Sequence, residues 1–367
     1  MKKMNYHCAK VVLLAVAMAF SVAVQAQTRN FSWGNIQRQY LLFEPSDRTG
    51  ALPVMYFLHG LGDNITRCAN EMHFDNLAER YGWVIVVPQA TNVSGATMWN
   101  AGLGGTADDA GFLLALLDSL VADGKVNADS VFFTGFSMGG FMTHRMAIEH
   151  GDRITACAPV SGLITFAFAD YVPPVPVRMM HIHGTADNVV GWSGGSAYFG
   201  TIGISVDSVV SFWTGWNNCE SAPTLDTLPD RVNDGLRFIR FTYNGEAEFQ
   251  LLKVVGGTHD WYQDTNAHDI DYFDEIHRFF VGDASSLGLN DQEASSTQME
   301  IWPNPTSGFL YVRTVVPTML TFYDCMGRMV MQNSILSGTS RIDMQDLAGG
   351  IYILVDGSGC TRKIMNR

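Results

Sequence analysis

The sequence predicts a three-layer α/β domain followed by a small β-sandwich, on three observations. From about Ile36 to Val281, short continuous apolar runs alternate with helical patterns, as in a parallel sheet covered on both faces. One run, Val131 to Phe136, ends in Gly135-Phe136-Ser137-Met138-Gly139 and leads directly into a helical pattern. After residue 298 the apolar period switches to two, in short segments broken by turn residues.

The elements follow in order. Lys2, Lys3 and Lys10, the apolar stretch Val11–Val24 and the small residues around Val24-Gln25-Ala26 predict a secretory signal peptide over residues 1–26. No later run approaches spanning length, so the mature chain is expected to be soluble. Val54–Leu58 is a strand ending at His59-Gly60, and Phe74–Tyr81 is helical in pattern. Trp83–Val87 is the next strand, stopped by Pro88. Asp108–Val121 reads as an amphipathic helix whose first-turn carboxylates suit the positive end of the helix dipole. The strand at Val131 is followed by a helix over Phe141–His150, with strands at Thr155–Val160, Val177–Gly184 and Phe249–Val255. Asp271–Phe280 closes the domain as a helix, so the α/β domain is assigned to residues 27–281. Residues 282–298 are polar and serine-rich, a linker. In the tail, 299–367, Phe309–Val312, Leu320–Tyr323 and Ile351–Val355 alternate as sandwich strands do.

Composition narrows the chemistry. The chain has 367 residues, 47% hydrophobic and 16% charged, with a net charge of −13. Such an acidic balance argues against nucleic acid or anionic membrane as a partner. Of six cysteines, Cys8 leaves with the signal, so the mature count is odd and at least one thiol is free or bonded externally. There is no C-x-x-C pair, which speaks against a structural zinc site. Cys157 reads as a buried hydrophobe, while Cys325 and Cys360 share the tail and are able to pair there.

A G-x-S-x-G between a strand and a helix is the setting of a nucleophile elbow, which marks Ser137. A second match, Gly191-Trp192-Ser193-Gly194-Gly195, has neither flanking element and reads as a glycine-rich loop. A serine hydroxyl needs a base, and the base needs an orienting carboxylate. In α/β-hydrolases these follow in the order Ser, acid, His. Asp187 lies in the loop after the Val177 strand, and His259 in the loop after Phe249–Val255. Both loops leave the strand ends where open α/β sheets place their ligands. Asp170, Asp207, His268 and His277 are weaker competitors, and His181 and His183 share a strand face without a third metal ligand nearby. The oxyanion donors expected are the backbone N–H groups of Met138 and of Leu61, in His59-Gly60-Leu61-Gly62. Trp99, Trp192, Tyr198 and Trp261 lie in loops near the expected site and are candidates to stack on substrate. No metal or organic cofactor is required.

Residues 36–281 resemble the family that contains feruloyl esterases, acetyl xylan esterases and extracellular polyhydroxybutyrate depolymerases. The resemblance rests on Leu58-His59-Gly60, Asp108-Asp109-Ala110-Gly111-Phe112, Gly135 to Gly140, Ala158-Pro159-Val160-Ser161-Gly162, His183-Gly184-Thr185-Ala186-Asp187 and Gly256-Gly257-Thr258-His259-Asp260-Trp261. It implies an α/β-hydrolase fold, a Ser137–His259–Asp187 triad, and Met138 and Leu61 as oxyanion donors. The motifs are shared across different esters and do not fix the acyl group; the substrates expected are feruloyl (or acetyl) esters of plant polysaccharide. Polyhydroxybutyrate depolymerisation and non-catalytic surface binding are the alternatives. Many relatives pair a cysteine near Cys219 with one after a Tyr-x-Gly; here Tyr243-Asn244-Gly245 is followed by Glu246, so that disulfide is expected to be absent. The tail resembles the type A C-terminal sorting domain of type IX secretion, through Pro303-Asn304-Pro305-Thr306-Ser307-Gly308, Tyr323-Asp324-Cys325-Met326-Gly327-Arg328, Leu347-Ala348-Gly349-Gly350-Ile351-Tyr352 and the basic end Arg362-Lys363-Ile364. That implies the type IX secretion machinery as a partner and a secreted or cell-surface location. A small carbohydrate-binding module is the alternative for the tail.

Overall fold

A computed structural model describes residues 28–282 and, within 300–366, all residues except 303, 305, 307, 315, 316, 325–327 and 357–360. The signal peptide, the linker after Gly282 and the cysteines at 8, 325 and 360 lie outside the described residues. The chain divides into two compact units between Phe280 and Val281.

The first unit is built on a ten-stranded sheet. In chain order its strands are β1 (Thr28–Trp33), β2 (Ile36–Phe43), β3 (Leu52–Leu58), β4 (Val84–Pro88), β5 (Val126–Phe136), β6 (Ala156–Val160), β7 (Arg178–Gly184), β8 (Thr224–Thr227), β9 (Arg237–Tyr243) and β10 (Phe249–Val255). Their spatial order is β1-β2-β4-β3-β5-β6-β7-β10-β9-β8. The run from β4 to β10 is parallel, and the edge strands on both sides are antiparallel. The helices are α1 (Ile65–Met72), α2 (Phe74–Tyr81), α3 (Asp109–Ala122), α4 (Met138–His150), α5 (Val206–Trp216) and α6 (Tyr272–Val281).

Strand periodicity divides the core in two. Val54, Tyr56 and Leu58 face one layer, with Phe112 and Leu116 of α3, Met142 and Met146 of α4 and Trp213 of α5. Met55 and Phe57, one residue out of phase, face the other, with Ile65 of α1, Phe74 of α2 and Phe273 and Ile276 of α6. The sheet is thus buried on both faces, and the three-layer α/β arrangement expected from the alternating runs is present, as the resemblance to α/β-hydrolases implies. Several elements were not foreseen: the β1–β2 hairpin, α1 and the β8–β9 edge. Helix α4 also begins at Met138 rather than Phe141, directly at the elbow.

One buried ion pair ties β2 to the start of α3. Arg38 of β2 donates to Asp109 Oδ1 at 2.7 Å, with both side chains out of solvent. The second Asp109 oxygen accepts the Asn100 N–H at 2.6 Å, and Arg38 also donates to the Gln89 carbonyl at 3.1 Å. The guanidinium stands 4.0 Å over the Phe112 ring. Burial raises the Asp109 carboxyl above its ordinary range, against the pull of Arg38. Asp108 caps α3 instead of lying inside it, accepting the Gly111 N–H at 3.0 Å.

The second unit is a sandwich. Strands β11 (Glu300–Trp302), β12 (Phe309–Thr314) and β15 (Gly338–Asp343) form one sheet; β13 (Thr318–Tyr323), β14 (Met329–Ile335), β16 (Gly350–Val355) and β17 (Thr361–Asn366) form the other. Leu310, Val312 and Ile342 of the first sheet share a core with Leu320, Phe322, Leu354 and Ile364 of the second.

Removing one partner of a buried pair strands the other charge. Asp109→Ala is therefore expected to lower the stability of the first unit by about 3–5 kcal/mol. Urea unfolding followed by circular dichroism measures this, and a loss below about 1 kcal/mol would contradict the role given to the pair.

Candidate active site

Ser137 joins β5 to α4 with φ 55° and ψ −119°. A residue with a side chain rarely adopts that conformation, and it costs about 1–3 kcal/mol. Its neighbours hold it there. The Ser137 N–H donates to the Val160 carbonyl at 2.9 Å. A Cβ on Gly139 would stand 1.8 Å from the Leu58 carbonyl oxygen, and one on Gly140 would stand 2.7 Å from the Val160 oxygen. The first turn of α4 therefore rests on the ends of β3 and β6 at a separation only glycine permits. The Ser137 side chain makes no capping bond to the helix, and the residue lines a cleft.

Asp187 and His259 come from the loops after β7 and β10. Those loops are joined: the Ala186 N–H donates to the Gly257 carbonyl at 2.9 Å, and the Gly256 N–H donates to Thr185 Oγ1 at 2.9 Å. Asp187 is buried. Its Oδ1 accepts the N–H groups of Val189 (2.9 Å) and Val190 (2.8 Å), and its Oδ2 lies 2.7 Å from His259 Nδ1. Burial alone would raise this carboxyl, but the bond and charge of His259 and the Val190 amide outweigh it and hold the group below its ordinary value. An ionised carboxylate accepts, so His259 carries its proton on Nδ1 and leaves Nε2 as the basic nitrogen. His259 lines the same cleft as Ser137 and packs its ring on Phe136, centroids 4.8 Å apart.

The loop after β3 completes the cleft wall. The His59 ring is buried, and burial lowers its pKa, so it is neutral. It donates from Nδ1 to the Gly60 carbonyl at 2.8 Å and accepts the Ala90 N–H on Nε2 at 3.1 Å. The Gly62 N–H is taken by the Thr97 carbonyl at 2.9 Å, whereas among the described residues the Leu61 N–H has no hydrogen-bond partner. Leu61 and Met138 both line the cleft, and the Met138 N–H, first in its helix, has no intrahelical acceptor.

The cleft holds about 600 Å³ and is mostly apolar, with Met98, Leu103, Phe136, Phe141, Val190, Phe199 and Ile202 in its wall and Asp63 and Arg67 at the polar side. None of the three tryptophans expected to meet substrate lines it. Trp99 is wholly buried and donates from Nε1 to the His59 carbonyl at 2.9 Å, a strut beneath the loop. Trp261 packs edge-on against Phe57, centroids 5.2 Å apart, in the layer of α6. Trp192 donates to Asp207 Oδ1 at 3.1 Å and lies under Lys253. Large rings close to a sheet bury more apolar area by packing inward than by facing a cleft. The aromatic residues that line the cleft, Phe136, Phe141 and Phe199, were missed. Phe136 is the x before the serine, a position the motif leaves open. Phe199 sits beside the exposed Tyr198 at the tip of a ribbon pairing Gly195–Ser196 with Gly200–Thr201.

The competitors are engaged elsewhere. Ser193 lies in a tight loop closed by the Gly191 N–H on the Gly195 carbonyl at 2.7 Å. His268 bonds Asp234 at 3.0 Å, and His277 stacks on Tyr81 at 4.0 Å. Trp213 donates to His144 Nδ1 at 3.2 Å, and His144 in turn donates from Nε2 to His181 Nδ1 at 3.2 Å. Among the described residues no cluster of His, Cys, Asp or Glu is able to hold a metal ion. Cys219 is a free thiol, as are the buried Cys68 and Cys157.

Residues 38–189 match the family model described as Esterase PHB depolymerase, and residues 300–365 match the one described as Secretion system C-terminal sorting domain. The chain is 28% identical over 155 residues to the bifunctional acetylxylan esterase/xylanase XynS20E of Neocallimastix patriciarum, covering 42% of this chain and 22% of that protein. It is 30% identical over 147 residues to the putative esterase NocK of Nocardia uniformis subsp. tsuyamanensis, covering 37% and 40%. It is 29% identical over 168 residues to the probable feruloyl esterase C of Aspergillus clavatus, covering 43% and 57%. The chain thus spans less than two thirds of each of these relatives. A solved acetyl xylan esterase from Aspergillus awamori superposes with a TM-score of 0.49 at 14% identity, covering 67% of this chain and 94% of that one. Both resemblances read from the sequence, esterase and sorting tail, are borne out by the family matches.

The buried histidines give stability a defined pH dependence. Burial holds His144 down to about 3 and His181 well below its ordinary value. Unfolded, each binds a proton near pH 6.5, so the stability is whole above that pH and falls as pH drops toward the folded value. His144 alone contributes a slope of about 1.4 kcal/mol per pH unit in that window. Urea titrations at pH 7 and pH 5 should differ by about 2 kcal/mol or more; equal stabilities would show that these rings are not buried and neutral.

Proposed function

We propose that the first unit is a serine carboxylesterase that hydrolyses esters through Ser137, His259 and Asp187, and that the tail directs its export. The observation that carries this is the strained, uncapped Ser137 in one cleft with a histidine whose far nitrogen is held by a buried carboxylate. Ser137 Oγ attacks the ester carbonyl while His259 Nε2 accepts its proton. The N–H groups of Met138 and Leu61 receive the oxyanion, helped by the positive end of α4. His259 then protonates the leaving alcohol, and water, deprotonated by the same ring, releases the acid. Asp187 orients His259 and stabilises its charged form.

The substrate proposed is a feruloyl ester of plant polysaccharide. An acetyl group would leave most of a 600 Å³ apolar cleft unfilled, whereas an aromatic acyl group would meet the rings of Phe136, Phe141 and Phe199. Relatives bearing the names feruloyl esterase and acetylxylan esterase support the same class. Tyr198 and Phe199, 70% and 62% exposed at the ribbon tip, are placed in this reading against the polymer beyond the scissile bond. Sorting is proposed for residues 299–367 because the tail matches a sorting-domain model and is a separate sandwich with its own core.

Ser137→Ala should abolish hydrolysis of p-nitrophenyl acetate, while Ser193→Ala keeps most of it. His259→Ala and Asp187→Asn should each lose about four orders of magnitude or more in kcat. Turnover by purified Ser137→Ala would sink the assignment. In parallel assays, methyl ferulate should give the highest kcat/KM; preference for acetylated xylan, or release of hydroxybutyrate from a polymer film, would move the substrate to those classes.

Truncation after Gly282 tests the tail. The expected outcome is nearly unchanged kcat/KM on p-nitrophenyl acetate and loss of the enzyme from the medium of the native host. Normal export of the truncated chain would refute sorting, and weakened binding to insoluble polysaccharide with export intact would make the tail a carbohydrate-binding module.

A further inference from the structure

The loop that carries Asp187 rests on a side chain with no part in the chemistry above. His183 lies in β7, four residues before Asp187, and is fully buried. Its Nε2 is 2.7 Å from the Val190 carbonyl oxygen. A carbonyl only accepts, so Nε2 bears the hydrogen and donates. Val190 is also the residue whose N–H reaches Asp187 Oδ1 at 2.8 Å, beside Val189 at 2.9 Å. The same ring nitrogen is 3.8 Å from Asp187 Oδ2, beyond hydrogen-bond reach.

We propose that His183 is a positioning residue for the esterase: by holding the Val190 carbonyl it fixes the Asp187–Val190 turn, and so aims the Asp187 carboxylate at His259 Nδ1. The proposal rests on the triad reading above. Packing alone does not account for a histidine here. Among the described residues its Nδ1 is buried with no hydrogen-bond partner, as is Nε2 of the neighbouring His181, whose ring lies 5.3 Å away. Each such atom carries a desolvation cost that an aliphatic side chain would avoid. The donor to Val190 is what an aliphatic residue cannot supply. The titratable groups facing the ring are Asp187, His259, His144 and His181, with Lys253 opposite it on β10, its ammonium over Trp192, which packs edge-on to the His183 ring. Burial keeps it neutral. The role needs that neutrality, because a cation beside Asp187 would weaken the carboxylate's support of protonated His259.

The test compares His183→Leu, which has no donor, with His183→Gln, whose side-chain amide carries an N–H near the place of Nε2. On p-nitrophenyl acetate, His183→Leu should lose about 10–100-fold in kcat with KM within about twofold, the scale of a misaligned catalytic group. Its acidic limb in kcat/KM should move to lower pH, because a poorly aimed carboxylate stabilises the imidazolium less. His183→Gln should recover kcat to within about tenfold and restore the limb. Wild-type kcat in His183→Leu, or equal losses in both variants with the limb unmoved, would overturn the proposal. Thermal melts check folding. If His183→Leu does not fold, His183→Gln decides alone, and a folded His183→Gln with a displaced limb or a loss above tenfold overturns it. Ser137→Ala runs alongside. If it is active, the triad reading falls; if it is inactive while His183→Leu is fully active, only the positioning role falls.

Discussion

The arrangement of the cleft depends on one backbone contact, the approach of Gly139 to the Leu58 carbonyl. With 1.8 Å between that oxygen and the place a Cβ would take, the first turn of α4 sits directly on the end of β3. This contact sets two things together. It leaves Ser137 with φ 55° at the turn, and it fixes where the chain leaves β3 for His59-Gly60-Leu61-Gly62. The proposed nucleophile and its proposed oxyanion donors are therefore positioned by the same packing. The strain at Ser137 is offset by the surrounding structure, notably the bond to Val160 and the glycine contacts on β6.

The other half of the site is also held by a close backbone approach, here between two glycines. A Cβ on Gly184 would stand 2.3 Å from the Gly257 carbonyl, so the loops carrying Asp187 and His259 meet as bare backbone. Beneath them, buried polar groups act as struts: His59 and Trp99 under the β3 loop, His183 under Val190.

How much of this was legible follows from the physics of each segment. The central strands are buried on both faces and read as continuous apolar runs, so Val54–Leu58 and Phe249–Val255 were found at or near their true ends. Edge strand β1 is half exposed along its length and carries no such run. Helix α5 is rich in valine, phenylalanine and tryptophan, which suit strands; its signal was Ser205, which caps it by accepting the Ser208 N–H at 3.1 Å. At the site, Ser137, Asp187 and His259 were read from motif, order and loop placement, which the strand topology dictates. The aromatic lining was not legible. Sequence places Trp99 and Trp261 in loops but does not say which way a loop turns its rings, and burial drew both inward.

The central claim is that Ser137 is the nucleophile. The most direct measurement is mass-spectrometric mapping of the adduct formed with a fluorophosphonate, which phosphonylates a serine that a base activates. The account predicts one adduct per chain, on the peptide containing Ser137, and its loss in His259→Ala. An adduct on Ser193 or any other serine, or unchanged labelling without His259, would contradict it.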